Sequence, residues 1–393
     1  MFEKPRTMLD RPAAAGGRGL PEAAGAVTIR RIASYTFFVG LPLAWVVSWT
    51  VNLATYHYGI RAGFDLRGAF LPAAHAVIHG SSPYPALHDP SLASQTAYVY
   101  PPFVAFLATP LLLVAPNAAV AVGIAAAFAS VVALLWLAGV RDFRCYGLAL
   151  VWAPTLNAVQ NLNISLLIGL ALALAWRFRS STRIAAPLLG CALATKIFVW
   201  PLLVWPFACR RRTTFWIALL AGVVLVLGSW AAIGFAGLTE YPRLLRAVTG
   251  KEEMQSYSIS GALRVAGVGV AVARVAALLM TAGLLAACLA FGRRGDEARA
   301  FAAAVLASLT STPILWQHYL MLLLVALAVT RPRLSVAWFL PVLLWLAPTT
   351  GNGTTAQTFL VPIVGALVGA ACLLPRRSSA THAPPFRPAR LRT

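Results

Sequence analysis

Charge is what this chain has least of. Only 11% of its 393 residues are charged, with 11 acidic side chains and three lysines, Lys4, Lys196 and Lys251. A hydrophobic content of 60% and a mean hydropathy of +0.76 exclude an ordinary soluble domain. They fit an all-α polytopic membrane protein. The five cysteines (Cys145, Cys191, Cys209, Cys288 and Cys372) show neither paired nor metal-type spacing, which argues against a disulfide framework and a zinc site. No internal repeat is evident, which disfavours the repeat architectures of many transporters.

What charge there is comes mostly from arginine. The formal net charge is +21, and its carriers stand as short clusters between apolar runs: Arg30-Arg31, Arg141 with Arg144, 177–183, 210–212, Arg293-Arg294, Arg331 with Arg333, and Arg376-Arg377. A nucleic-acid partner calls for basic residues gathered on one soluble face. Punctuation of this kind instead marks cytoplasmic loops, because basic residues near span ends stay inside. The expected partner of the arginines is membrane lipid, with no nucleic acid.

With the Arg clusters inside, twelve apolar segments read as spans: 32–53, 117–140, 145–158, 164–178, 184–199, 201–209, 214–236, 265–291, 299–314, 315–330, 334–348 and 357–374. Several fall short of the roughly 20 residues that cross unaided, which predicts broken or tilted helices. Residues 99–115 are apolar too, but carry Pro101, Pro102 and Pro110. If they spanned, Arg141 and Arg144 would land on the wrong side, so parity makes this a helix along the outer interface. The domain reading follows: 1–28 a disordered cytoplasmic tail, 29–375 one membrane domain whose first outer loop covers about 54–116, and 376–393 a basic cytoplasmic tail.

Within that loop, residues 56–102 form the one long polar stretch, holding Asp65, Asp89 and four of the six histidines. Six of the acids are set aside: Glu3, Asp10 and Glu22 lie in the tail, and Asp142, Asp296 and Glu297 adjoin cytoplasmic arginines. Outside remain Asp65, Asp89, Glu240, Glu252 and Glu253. Asp65, between Phe64 and Leu66 just after the first span, is placed for partial desolvation, which raises a carboxylate towards useful base strength. Its plainer reading is a loop carboxylate paired with Arg61 or Arg67. Asp89, in His88-Asp89-Pro90, reads as a turn or cap residue.

Lys196 lies well inside an apolar segment, where an ammonium is costly unless it faces an anion or water. Snorkelling to the nearer interface is the competing reading. His318 marks an outer hairpin tip after Thr312-Pro313 and Trp316, and on its own is as well explained as an interfacial histidine beside an aromatic anchor. Gln160, Asn161 and Asn163 form another outer turn with amide hydrogen-bonding capacity.

Taken in order, Gly63-Phe64-Asp65-Leu66, Gly80 with Pro83-Tyr84, Tyr100-Pro101-Pro102, Lys196, and Ser311-Thr312-Pro313 with Trp316 and His318 resemble glycosyltransferase family 87. These are GT-C membrane enzymes that transfer mannose, or in some members arabinofuranose, from a polyprenyl-phosphate carrier. The resemblance covers about 65–319. One departure is Val159, where the family often has a glycine before the glutamine.

The resemblance implies a GT-C-like fold and a polyprenyl-phosphate sugar donor reaching an outer site from the membrane. The acceptor would be a glycolipid or glycan, and Asp65 the catalytic base. Lys196, His318 and Arg264 would face the donor phosphate. Tyr84, Tyr100, Gln160, Asn163 and Trp316 would contact substrate. No Asp-x-Asp pair occurs, so a nucleotide-sugar donor, a metal and a cofactor are not called for. A secondary transporter or lipid-linked-sugar flippase would share the many spans and the buried lysine, but would place its polar groups near mid-bilayer. A non-catalytic envelope-assembly subunit would tolerate loss of Asp65.

Overall fold

The computed structural model describes residues 20–55, 62–92, 94–348 and 353–375. The carboxyl-terminal tail, residues 1–19 of the amino-terminal one, His57, Arg61 and the turn at 349–352 lie outside them. Among the described residues the chain is all helix, with no strand.

The first apolar span is α1 (Thr28–Leu53). Its helix begins at Leu20, so residues 20–28 of the stretch expected to be disordered are helical. Pro21 suits a first turn, and the alanine-rich stretch behind it extends a helix already nucleated by the span. Then come α2 (Leu66–Ile78) and α3 (Pro102–Leu113), two short apolar helices packed on one another, and α4 (Pro116–Leu137). Pro102 and Pro116 occupy the first turns of α3 and α4, where the missing N–H costs nothing.

Next are α5 (Phe143–Val151), α6 (Ala153–Asn161) and α7 (Ser165–Arg177). The sequence reading ran 145–158 as one segment. Trp152, in extended backbone, divides it, and Pro154 sits in the first turn of the next helix, where its missing N–H costs nothing. Between α6 and α7 the axis turns by 115°. Leu162 takes the left-handed conformation there (φ 52°).

The chain continues through α8 (Thr182–Thr195), α9 (Ile197–Ala208) and α10 (Arg212–Ala232). Two helices follow in what the sequence offered as an outer loop, α11 (Tyr241–Glu252) and α12 (Ile259–Val265). The last five are α13 (Val270–Arg293), α14 (Glu297–Ser311), α15 (Gln317–Thr330), α16 (Val336–Leu346) and α17 (Thr355–Leu373).

Among the described residues five helices (α1, α4, α10, α13 and α17) are long and apolar enough to cross a membrane, or six if the bent pair α6–α7 counts as one span. Their outward faces expose Trp45, Val47, Leu220, Val224, Leu278 and Leu279. An apolar belt of that extent is stable only against lipid or protein. At the centre, α14 and α15 are enclosed almost completely: Ala300 to Ala304 and Leu324 to Ala328 have no exposed surface. A helix apolar all round has nowhere else to go, and the alanines of α14 let its neighbours approach closely. Where α8 crosses α10, a Cβ on Gly190 would stand 2.6 Å from the Ala221 methyl, so the glycine sets that approach.

The polarity of the bundle is fixed by α7 and α14, which run between its two ends. At one end Glu297 takes hydrogen bonds from Arg179 (2.9 Å) and Arg211 (2.5 Å), while Asp142 and Asp296 cap α5 and α14. Arg144 holds the Asp142 carboxyl down at about 2. At the other end lie the α6–α7 turn, the 312–316 link and α2. This is where the candidate residues gather.

Candidate active site

Gly63 seats the start of α2. Its φ of 73° suits glycine, a Cβ would meet Val120 at 2.7 Å, and its N–H donates to the Gln160 carbonyl (2.6 Å). Two residues on, Asp65 faces a polar cavity of about 210 Å³ that is also lined by Tyr100, Gln160, Asn161, Asn163, Trp316 and His318. Arg67 turns the other way, donating to the Ala62 carbonyl (3.1 Å) and to Asn117 Oδ1 (2.7 Å). Asp65 therefore does not pair with Arg67, and its other proposed partner, Arg61, lies outside the described residues.

Instead Asn163 Nδ2 donates to Asp65 Oδ2. The orientation of that amide is set by Ser165, whose N–H (3.0 Å) and Oγ (2.6 Å) both donate to Asn163 Oδ1. Burial raises the Asp65 carboxyl above the ordinary aspartate range, with the Asn163 hydrogen bond and then the charge of Lys196 opposing the shift. A carboxylate so placed is a stronger base than one in water.

Lys196 sits at the break between α8 and α9, in extended conformation (φ −145°) and only 5% exposed. Its Nζ lies 3.4 Å from the centroid of the Tyr319 ring and 5.1 Å from that of Tyr100, both rings being part of the cavity wall. Among the described residues it has no hydrogen-bond partner. Cation–π contacts hold such an ammonium without satisfying its three donors, which leaves it suited to an anion.

His318, 7% exposed, is fixed by Nδ1 against Asn157 Oδ1 (3.1 Å), and its buried Nε2 is unpartnered among the described residues. Asn157, Gln160 and Asn161 fall three and four residues apart on α6 and line one wall.

Tyr84 and Arg264 are placed elsewhere. The Tyr84 ring packs on Tyr98, Trp230 and Tyr241, and its hydroxyl donates to the Tyr100 carbonyl (3.0 Å), so it braces Tyr100 from behind. Tyr98 completes the brace: its hydroxyl donates to the Pro101 carbonyl (2.5 Å) and accepts from the Ala105 N–H (2.9 Å). Arg264 is not among the cavity residues. Its Nη1 lies 2.8 Å from Oε2 of the fully buried Glu253, which also takes Arg274 (3.1 Å). A buried carboxylate requires such cations, so the guanidinium is held away from the cavity. Asp89 is outside it as well, accepting from the Ser91 N–H (2.8 Å).

Four cavity residues with polar side chains had no role in the sequence reading: Gln95, Asn157, Glu252 and Tyr319. Asn157 was discoverable from its helical spacing to Asn161. Glu252 carried no local signal that separated it from Glu253.

An apolar cleft of about 230 Å³ adjoins the cavity, lined by Leu66, Phe70, Val104, Gly123 and Leu166 and sharing Asn163 with it. A polar chamber meets an apolar channel at one asparagine. That arrangement suits an amphiphile with a polar head and a hydrocarbon tail.

Residues 98–316 match the model of glycosyltransferase family 87, more than half of the chain, and the protein belongs to that family. It is thus a membrane glycosyltransferase, which decides against the transporter and assembly-subunit readings. The matched stretch holds Tyr100, Gln160, Asn163, Lys196, Arg264 and Trp316, while Asp65, Tyr84 and His318 lie beyond its ends. Neither a curated protein nor a solved structure matches the chain.

Proposed function

We propose that the protein moves a sugar, mannose on the family resemblance, from a polyprenyl-phosphate carrier to a hydroxyl group of an envelope glycolipid or glycan. The reaction takes place on the outer face of the inner membrane. All twelve apolar segments enter the bilayer in this reading, the short ones as broken or re-entrant pieces, with both termini inside.

Asp65 takes the proton of the acceptor hydroxyl as its oxygen attacks the anomeric carbon. A carbon–oxygen bond forms on one face of that carbon while the bond to the phosphate oxygen breaks on the other, so the configuration inverts. The electron pair leaves with the polyprenyl phosphate, whose growing charge is met by Lys196 and His318. Tyr100, Gln160, Asn163 and Trp316 hold the sugars. The prenyl chain lies in the apolar cleft, so the carrier enters from the lipid without crossing water.

The observation that carries the reading is a carboxylate lining one cavity, an ammonium unpartnered among the described residues and packed behind two of that cavity's wall rings, Tyr100 and Tyr319, and an apolar cleft adjoining it. Purified protein in nanodiscs, given labelled polyprenyl-phosphate mannose or polyprenyl-phosphate arabinofuranose with a panel of envelope glycolipids, should label an acceptor from one donor. Absence of transfer from either donor to every acceptor would sink the reading.

A further inference from the structure

The cavity has a second group of polar residues, supplied by elements other than the α6–α7 turn. Glu252 ends α11 and Gln95 stands in the turn before Ala97, and both line the cavity that Asp65 faces. The wall is built rigidly. Glu253, the next residue, is clamped by Arg264 and Arg274. Its carbonyl accepts from Ser256 Oγ (2.9 Å), and α12 packs so closely that a Cβ on Gly261 would stand 2.2 Å from that oxygen.

Gln95 adopts the left-handed conformation (φ 59°), unusual for a residue with a side chain, and its Nε2 donates to Gln255 Oε1 (3.3 Å). The turn is thereby tied to the end of α11. Among the described residues Glu252 has no charged partner beyond its neighbour Lys251. In the same cavity the buried Nε2 of His318 is also unpartnered among the described residues.

We infer that Gln95 and Glu252 form the acceptor subsite, a carboxylate and an amide that take the hydroxyl groups of the accepting sugar and turn the reacting one towards Asp65. The assignment rests on the transferase reading above and names a class of ligand within it, a polyhydroxylated sugar ring. A carboxylate offers acceptors only and an amide both donors and acceptors, the combination that neighbouring hydroxyls require. The donor phosphate is disfavoured at this wall, because Glu252 repels it whenever the carboxyl is ionised.

Binding to the full-length protein in nanodiscs tests this with two probes, octyl α-mannoside for the acceptor and farnesyl phosphate for the donor. Glu252→Ala should weaken the glycoside about 10- to 100-fold, the loss of a charge-assisted hydrogen bond. Glu252→Gln, which keeps shape and one acceptor oxygen, should weaken it less. Gln95→Ala should add to either, and farnesyl phosphate should bind all variants within about twofold of the parent. Glycoside affinity unchanged in both Glu252 variants overturns the inference, as does equal weakening of both probes in Glu252→Gln. Glycoside binding that depends on Glu252 in a protein that transfers no sugar would leave this subsite standing and remove the transferase reading.

Discussion

The Lys196 ammonium lies 3.4 Å from the centre of the Tyr319 ring, at the point where the chain leaves α8, and among the described residues nothing accepts its hydrogen bonds. A snorkelling lysine would reach for the interface. This one turns into the protein, beneath the cavity.

Lys196→Ala should therefore impair use of the lipid donor more than use of the acceptor. Loss of a charged hydrogen-bonding partner costs about 2 kcal/mol, or about 30-fold in kcat/KM for the donor. The acidic limb of the rate profile should also move to higher pH. Lys196 favours the ionised form of Asp65, so its removal raises that carboxyl further. Donor and acceptor kinetics measured across pH would show both effects, and equal losses for the two substrates would count against a phosphate contact.

Asp65→Asn should leave the protein inserted and folded but about 100- to 10,000-fold slower in transfer, because an amide cannot take the acceptor's proton. Asp89→Asn is the control. That side chain accepts the Ser91 N–H outside the cavity, and its replacement should keep rates near the parent. Initial rates of the two variants decide the matter. An active Asp65 variant with an inactive Asp89 variant would mean the base lies elsewhere.

Glu252 gives stability a pH dependence of defined sign. Burial pushes its carboxyl up from about 4.5 to about 7, with Lys251 only partly offsetting it. A raised carboxyl contributes stability that is fully present below its unfolded value and is lost as pH rises through about 7. Glu252→Gln should therefore raise Tm at pH 8 and leave it nearly unchanged at pH 5, measured by thermal unfolding. A higher Tm at pH 5 alone would contradict the assignment.

Membrane sidedness follows from α4. Cysteines placed at the exposed positions Ala118 and Arg141, at its two ends, should label from opposite sides, Ala118→Cys from outside with an impermeant maleimide. Labelling of position 118 from the cytoplasm would mean that 99–115 crosses the membrane.

Much of the candidate cavity was legible because its residues break local rules. Lys196 is a charge in an apolar run, and Asp65 an acid just past a span, so each stands out by cost alone. Asp65, Asn163 and His318 line one cavity, and Lys196 packs behind two of its rings. Arg264 was misplaced because an arginine near an outer loop looks the same whether it awaits a phosphate or neutralises a buried Glu253, and only packing separates the two. Helix breaks were legible as short segments, but their positions were not. Trp152 and Lys196 divide apolar runs whose composition changes little across the break, and the 115° turn at Leu162 depends on tertiary contacts rather than on a glycine. Gln95 could not have been found, since nothing in the sequence marks its left-handed backbone.

The hydrogen bond from Asn163 to Asp65 joins residues 98 positions apart, and that from His318 to Asn157 spans 161. At a synthesis rate of about 5–20 residues per second, Asp65 waits roughly 5–20 s for its amide, and the wall bearing His318 is the last to arrive. During that interval the proposed lipid carrier would meet an Asp65 that lacks its Asn163 partner. On that proposal a half-made chain would have no competent site with which to discharge an activated sugar into water, and reactivity would come only once His318 is in place.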